Sequence, residues 1–182
     1  SLRSASRLAD CSINTVTNTV AAYIGGSDAA SVVNATGGAI KLAATDLTVV
    51  VANAGSLAGA GAGGAGGGGA VAVGVSTANN VIANTVSAYI DHGNVSTAAN
   101  NIELTADERS AMWALSIGGS VAGSGGAGGG ASGAAAGAVA VNVTANKTFA
   151  YIANNSVVSA PAATLVKLTA TDNSTISAIG GG

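Results

Sequence analysis

The chain has 182 residues, enough for one domain to bury a sizeable core, since about two-thirds of the unfolded surface is hidden at this size. Charged residues make up only 8%, against about 25% in ordinary soluble domains, and 28 glycines with many Ala, Val, Ser, Thr and Asn take their place. A net charge of −2 with 48% hydrophobic residues argues against a chain disordered throughout, and six scattered Lys and Arg argue against nucleic acid as a partner.

At the N-terminus, Ser1 without a methionine points to a processed product or an excised fragment. Residues 1–11, with Arg3 and Arg7, lie outside the repeat described next and are expected as a cap or as an arm reaching a neighbouring subunit. Cys11 is the only cysteine, which excludes an intrachain disulfide and a multi-cysteine zinc site. Leu8-Ala9-Asp10-Cys11 loosely matches a lipoprotein cleavage box, but Asp10 stands where a small residue belongs and no apolar signal core precedes it. A small, partly buried thiol is the simpler reading.

From residue 12 onward the chain repeats. Asn14-Thr15-Val16-Thr17-Asn18 with Ala22-Tyr23-Ile24 recurs as Asn80 to Asn84 with Ala88-Tyr89-Ile90, and as Asn142 to Asn146 with Ala150-Tyr151-Ile152. All three tyrosines fall in this register, at separations of 89 − 23 = 66 and 151 − 89 = 62 residues. A second landmark follows each first one: Ile40-Lys41-Leu42 to Asp46, Ile102-Glu103-Leu104 to Asp107, and Val166-Lys167-Leu168 to Asp172. A third is the Gly/Ala run, Gly55 to Ala70 and Gly118 to Ala138, each leading into a Val-Ala-Val. Units near 12–78, 79–141 and 142–182, the last incomplete, read as a window cut from a longer array. Length varies mainly between the Tyr and Leu landmarks, which marks that connection as a surface loop.

Within a unit the pattern is strand-like. Leu47, Val49 and Val51, then Val71, Val73 and Val75, then Ile102 and Leu104, then Val139, Val141 and Val143 alternate with small or polar neighbours at period two. Asn, Asp, Gly and Ser punctuate between these runs and supply turns. The fold class predicted is all-β, a repetitive parallel β-solenoid with glycine-rich layers and about three repeats of about 62 residues. Dividing each repeat into three coils of about 21 residues spaces the tyrosines three rungs apart, too far to stack on one another. The repeated asparagines are expected at turns, with φ > 0 accessible to their backbone. Leu42, Leu104 and Leu168 are expected to point inward from equivalent strands, and the Gly runs to be ordered and buried between layers or subunits.

These phrases, Asn-x-Val-x-Ala-Tyr-Ile, Ile-x-Leu-x-Ala-x-Asp and the glycine runs, resemble the Ala/Gly/Asn-rich repetitive exported proteins of bacteria, the leukotoxin-like and haemagglutinin-like giant surface proteins. The resemblance covers nearly the whole chain from Asn14 onward. It implies β-helical stalks and roles in adhesion or membrane attack, and it supplies no active site.

Candidate chemistry is sparse. Gly59 to Gly64 formally matches a dinucleotide fingerprint, but more glycines follow where a helix is required and the next acid is Asp91. Asp46, Asp107 and Asp172 recur singly after their strands, which suits a turn or strand-ending cap better than a calcium cage of six or more oxygens. His92, the only histidine, sits beside Asp91 in the variable loop and reads as a solvated residue. Met112, Trp113 and Phe149 have no repeat partners and read as packing residues. The uncharged stretches Leu47 to Ile90 and Ser110 to Asn146 exceed the roughly 20 residues of a spanning helix, but their glycine content favours a tightly packed layer over bilayer insertion. Six Asn-x-Ser/Thr sequons, among them Asn34 and Asn146, are potential glycan acceptors.

No catalytic, cofactor-binding or metal site is therefore expected, and the chain is not read as an enzyme. The expected function is a structural repeat module of a secreted or cell-surface protein, self-associating as a homo-oligomer or homopolymer into a stalk, filament or matrix. The alternative is an adhesin or toxin-like array that binds a cell surface, glycan, ice or membrane.

Overall fold

The computed structural model describes residues 2–25 and 31–182, and what it describes is a parallel β-solenoid of three rungs. The first rung comprises β1 (Leu2–Val16), β2 (Thr19–Gly25), β3 (Ser31–Ala35), β4 (Ile40–Asp46) and β5 (Val49–Gly63). The second comprises β6 (Gly68–Ile82), β7 (Thr85–Asp91), β8 (Gly93–Thr97), β9 (Ile102–Glu108) and β10 (Ala111–Gly125). The third comprises β11 (Gly130–Thr144), β12 (Lys147–Ala153), β13 (Val157–Ser159), β14 (Val166–Asp172) and β15 (Thr175–Gly181). Every strand pairs in parallel with its counterpart in the adjacent rung, so the solenoid has five three-stranded sheets.

One repeat is therefore one rung, which corrects the expectation of three coils of about 21 residues. Tyr23, Tyr89 and Tyr151 are register partners, and their rings stack with centroids 5.1 and 4.9 Å apart and planes within 6° and 1° of parallel. The cause lies in the Gly/Ala stretches. They are halves of 15-residue strands, β5, β6, β10 and β11, and these long strands consume the residues that shorter coils would have needed. Residues 2–11, read from sequence as a cap or arm, lie in β1, which pairs in register with Gly68 to Thr77 and runs through Val16 without a break.

Each rung has a narrow arm and a wider head. In the arm, β1, β6 and β11 face β5, β10 and β15, and the residues between them are small: Ala52, Ala54, Ala58, Ala70, Ala72, Ala78, Ala114, Ser56, Ser76 and Ser116 are all buried. Glycine is required where the facing backbones come closest. A Cβ on Gly74 would lie 2.2 Å from the Gly119 carbonyl oxygen, and one on Gly118 would lie 2.3 Å from that of Gly137. With so thin an interior, alternation sends the larger side chains outward, including Val49, Val51, Leu57, Val71, Ile117 and Val121. At the arm tip the chain steps to the next rung through Gly64 to Gly67 and Gly126 to Gly129, tight turns closed by the Gly67 and Gly129 N–H groups, both residues at positive φ.

In the head, three sheets enclose the main apolar core, built from Ile40, Leu42, Val86, Ile90, Val95, Ile102 and Leu104. Leu42 and Leu104 are buried as expected; Leu168, in the same register on the last described rung, is 40% exposed because no further rung covers it. The Gly runs are ordered strands; on the middle rung the run's end is buried at Gly67 and Ala70, whereas the tip halves of β5, β10 and β11 are half-buried or exposed. The repeat length changes between β2 and β3, between β12 and β13, and between β13 and β14, all among the head strands.

Candidate functional site

Two corners of each rung face each other at the waist between arm and head. The first is Thr17-Asn18, repeated as Ala83-Asn84 and Ala145-Asn146; the second is Leu47-Thr48, repeated as Arg109-Ser110 and Asn173-Ser174. Asparagine suits the first corner because its amide serves both backbone and side-chain partners. The Asn18 N–H donates to Asn84 Oδ1 at 2.9 Å and the Asn84 N–H to Asn146 Oδ1 at 3.1 Å, tying each rung to the next. The same amides reach across the waist. Asn84 Nδ2 donates to Asp46 Oδ2 at 2.5 Å, Thr48 Oγ1 at 3.1 Å and Glu108 Oε1 at 3.3 Å, and Asn146 Nδ2 donates to Glu108 Oε1 at 3.2 Å and Ser174 Oγ at 3.1 Å.

The carboxylates they meet form a column. Asp46, Glu108 and Asp172 are register partners, one strand spacing of about 4.8 Å apart. Glu108 is fully buried and Asp46 only 8% exposed. Glu108 Oε1 accepts from Ser110 Oγ as well as from the two asparagines, whereas the buried Oε2 has no hydrogen-bond partner among the described residues. Burial pushes the Glu108 carboxyl above its ordinary range; the bonds from Ser110 and Asn84 oppose this, and the neighbouring Asp46 and Asp172 add to it.

A second polar ladder runs up the arm. Asn14 Nδ2 donates to Asn80 Oδ1 at 2.9 Å, and Asn80 Nδ2 donates to Asn142 Oδ1 at 2.9 Å. Each amide also donates across to the facing sheet, to the Val51, Trp113 and Ser177 carbonyls at 2.9, 2.8 and 2.5 Å. This ladder is polar. On the first-rung side it presents the Asn14 carbonyl oxygen, and on the third-rung side an Asn142 amide whose one bond is to Ser177.

The residues singled out in the sequence fall as follows. Asp46 and Asp172 belong to the column, but Asp107 does not: it pairs in register with Thr45 and Thr171 and forms an ion pair with Arg109 at 2.5 Å. The third member is Glu108, and the 62-residue offset from Asp46 identifies it by counting alone. Asp172 does cap a turn, accepting from the Ser174 N–H at 3.0 Å. Of the repeated asparagines, Asn14, Asn80 and Asn142 lie within strands rather than turns, and none of the six has positive φ; that conformation is taken by His92, Asn154 and Asn155 at the β7–β8 and β12–β13 connections. His92 is exposed and lies 3.1 Å from Asp91. Gly59 to Gly63 is β-strand, with no helix following. Cys11 is exposed on the outer face of β1. Met112 plugs a small cluster with Val50 and Ile82, while Trp113 and Phe149 stand half-exposed outside. The Asn146 sequon amide is taken up by the waist and that of Asn142 donates to Ser177, whereas Asn34 is exposed.

An open depression at the arm tip is lined mostly by glycine backbone, with Arg3 as its one charged side chain. No group of carboxylates, histidines and cysteines suited to a metal ion occurs among the described residues. No helix there is long and apolar enough to cross a membrane. Comparison with protein-family models, curated proteins and solved structures finds no match.

Proposed function

We propose that this chain is a structural, non-enzymatic repeat module of a secreted or cell-surface protein, lengthened by rung-on-rung stacking and self-associating into a stalk, filament or matrix. The observation that carries this reading is the polarity of the Asn14–Asn80–Asn142 ladder: the bond one rung gives is the bond the next accepts, so the two ends are complementary. Tyr23 and Tyr151 add a ring face at each end, 57% and 39% exposed. Two surfaces that differ but fit each other make a head-to-tail contact, which does not close and propagates as a fibre. The backbone groups at an uncovered strand edge favour the same outcome, since β11, β13 and β15 on the third-rung side and β2, β3 and β5 on the first-rung side carry none of the charged side chains that normally block such edges.

Concentration-dependent light scattering with electron microscopy tests this. Growth of linear particles with concentration is the expected result, and a folded particle that stays monomeric and non-fibrous at high concentration would sink it. The alternative, a toxin-like or adhesive array, draws on the outward apolar residues of the arm, where β5, β10 and β15 carry no charged side chain. Open strand edges make full insertion into lipid costly, because each unpaired backbone group there costs several kcal/mol, roughly. Leakage of dye from liposomes separates the two readings.

A further inference from the structure

Glu108 is an anomaly for a structural column. Its carboxyl is wholly buried, one oxygen is crowded with three donors, and the other has none. Directly above and below it in register stand two more carboxylates, Asp46 and Asp172. The charged side chains flanking Glu108 in sequence, Asp107 and Arg109, pair with each other on the opposite face of the strand. The groups that reach the column from β4, β7, β12, β14 and the two corners are otherwise amides and hydroxyls: Asn18, Asn84, Asn146, Thr48, Ser110 and Ser174. No lysine, arginine or histidine among the described residues forms an ion pair with a member of the column.

Glu108 is the fully buried member, held about 4.8 Å from a like charge on each side with no cation to offset them, so burial and both neighbours disfavour its ionised form. A proton on Glu108 Oε2 removes the central charge and turns the buried oxygen that accepts no hydrogen bond into a donor. We propose that the Asp46–Glu108–Asp172 column is a proton-binding site, and that each further rung stacked on it takes up a proton, so that acid promotes assembly. The second half rests on the stacking reading above. When one copy's third rung meets another's first, register continuation brings Asp172 opposite Asp46 and extends the column across the junction. Two apposed carboxylates share a proton more readily than both ionise.

The sign follows from linkage. A carboxyl whose folded pKa is raised gives stability that is fully present below its unfolded value and is lost as pH rises through the folded value. Above about pH 5, where ordinary carboxylates have already titrated, the chain should therefore melt at higher temperature as pH falls through the range in which Glu108 takes up its proton. The direct test is on the full chain. Infrared spectra followed through a pH titration should show a protonated-carboxyl band that persists above the range in which ordinary carboxylates ionise and that Glu108→Gln abolishes, and thermal melts of that variant should lose the pH slope. A wild-type band that disappears together with the ordinary carboxyls, or an unchanged slope in the variant, overturns the proton site, and the wild-type titration alone decides if the variant does not fold.

Assembly is tested separately by sedimentation velocity. One proton taken up per junction raises the association constant about tenfold for each unit fall in pH. An Asp46→Asn, Asp172→Asn double variant should associate near neutral pH as the wild type does in acid, with no pH dependence. Association that is equally strong at all pH values overturns proton linkage but leaves stacking intact. A folded chain that never associates overturns the linkage together with the stacking reading, and the infrared band then stands or falls alone.

Discussion

Asn79 and Asn80 are adjacent, chemically identical and opposite in consequence. Asn80 is fully buried, donates to Trp113 and Asn142 and accepts from Asn14, so its loss leaves polar groups on three elements short of a partner. Asn79 points the other way, and its Oδ1 is buried without a hydrogen bond. Each buried polar group left unsatisfied costs roughly 1–3 kcal/mol. Asn80→Ala should therefore lower stability in urea by about 3 kcal/mol, whereas Asn79→Ala should change it by less than about 1 kcal/mol. Similar losses at both positions would show that the inward ladder is not what holds the arm. The tyrosine column acts alongside it. Parallel rings with centroids near 5 Å are offset stacks worth about 0.5–1.5 kcal/mol per pair beyond the area they bury. Replacing Tyr89, the member with a ring on both sides, by alanine should cost more than replacing Tyr23 or Tyr151, and the ranking can be read from the three melting temperatures.

At the level of strands, glycine has two meanings in the arm. Gly74 and Gly118 mark points where the facing sheets touch backbone to backbone, so Ala at either must push the sheets apart. A Cβ added at Gly59 or Gly61 would have nothing within 4 Å, and both residues are exposed in ordinary strand conformation. Gly74→Ala should destabilise by about 2 kcal/mol or more, as overpacking does, while Gly61→Ala should stabilise by up to about 1 kcal/mol because the unfolded chain loses freedom. Urea titration of the pair checks both signs. The same duality explains what was legible in the sequence. The strands of the head were readable because Ile, Leu, Val and Tyr alternate there with polar residues and recur at a constant offset. The rung size was not, because Gly and Ala leave no inside-outside contrast from which the length of a strand can be read. With β5 and β10 looking like featureless glycine runs, nothing in the spacing distinguished one coil of 62 residues from three shorter ones. The carboxylate column was half legible: Asp46 and Asp172 were visible as landmarks, but taking the nearest Asp instead of the register-matched acid led to Asp107, one residue away and on the opposite face.

For the molecule as a whole, the arm reverses the usual distribution, with small residues inside and large apolar ones outside. The reason is thickness: sheets held together by Ala, Ser and Gly leave no room between them for Leu or Trp. The outer face of β5, β10 and β15 consequently shows Val49, Val51, Leu57, Trp113, Leu115, Ile117, Val121 and Ile179 with no charge among them. Leu57 is 72% and Val121 66% exposed, so neither contributes much to folding, and both contribute to whatever the face meets. A net charge of −2 offers little repulsion to keep such faces apart. Leu57→Lys with Val121→Lys should leave stability in urea within about 0.5 kcal/mol of wild type, as surface substitutions do. It should also raise the solubility measured by polyethylene glycol precipitation, because the two new charges interrupt the apolar face. Head-to-tail growth should continue in this variant, since neither residue belongs to the Asn14–Asn80–Asn142 ladder or to the tyrosine column. A loss of more than about 2 kcal/mol would mean that these side chains pack within the folded chain after all. Unchanged solubility with unchanged stability would mean that the face is not what brings molecules together sideways, leaving the rung ends as the surface through which this chain associates.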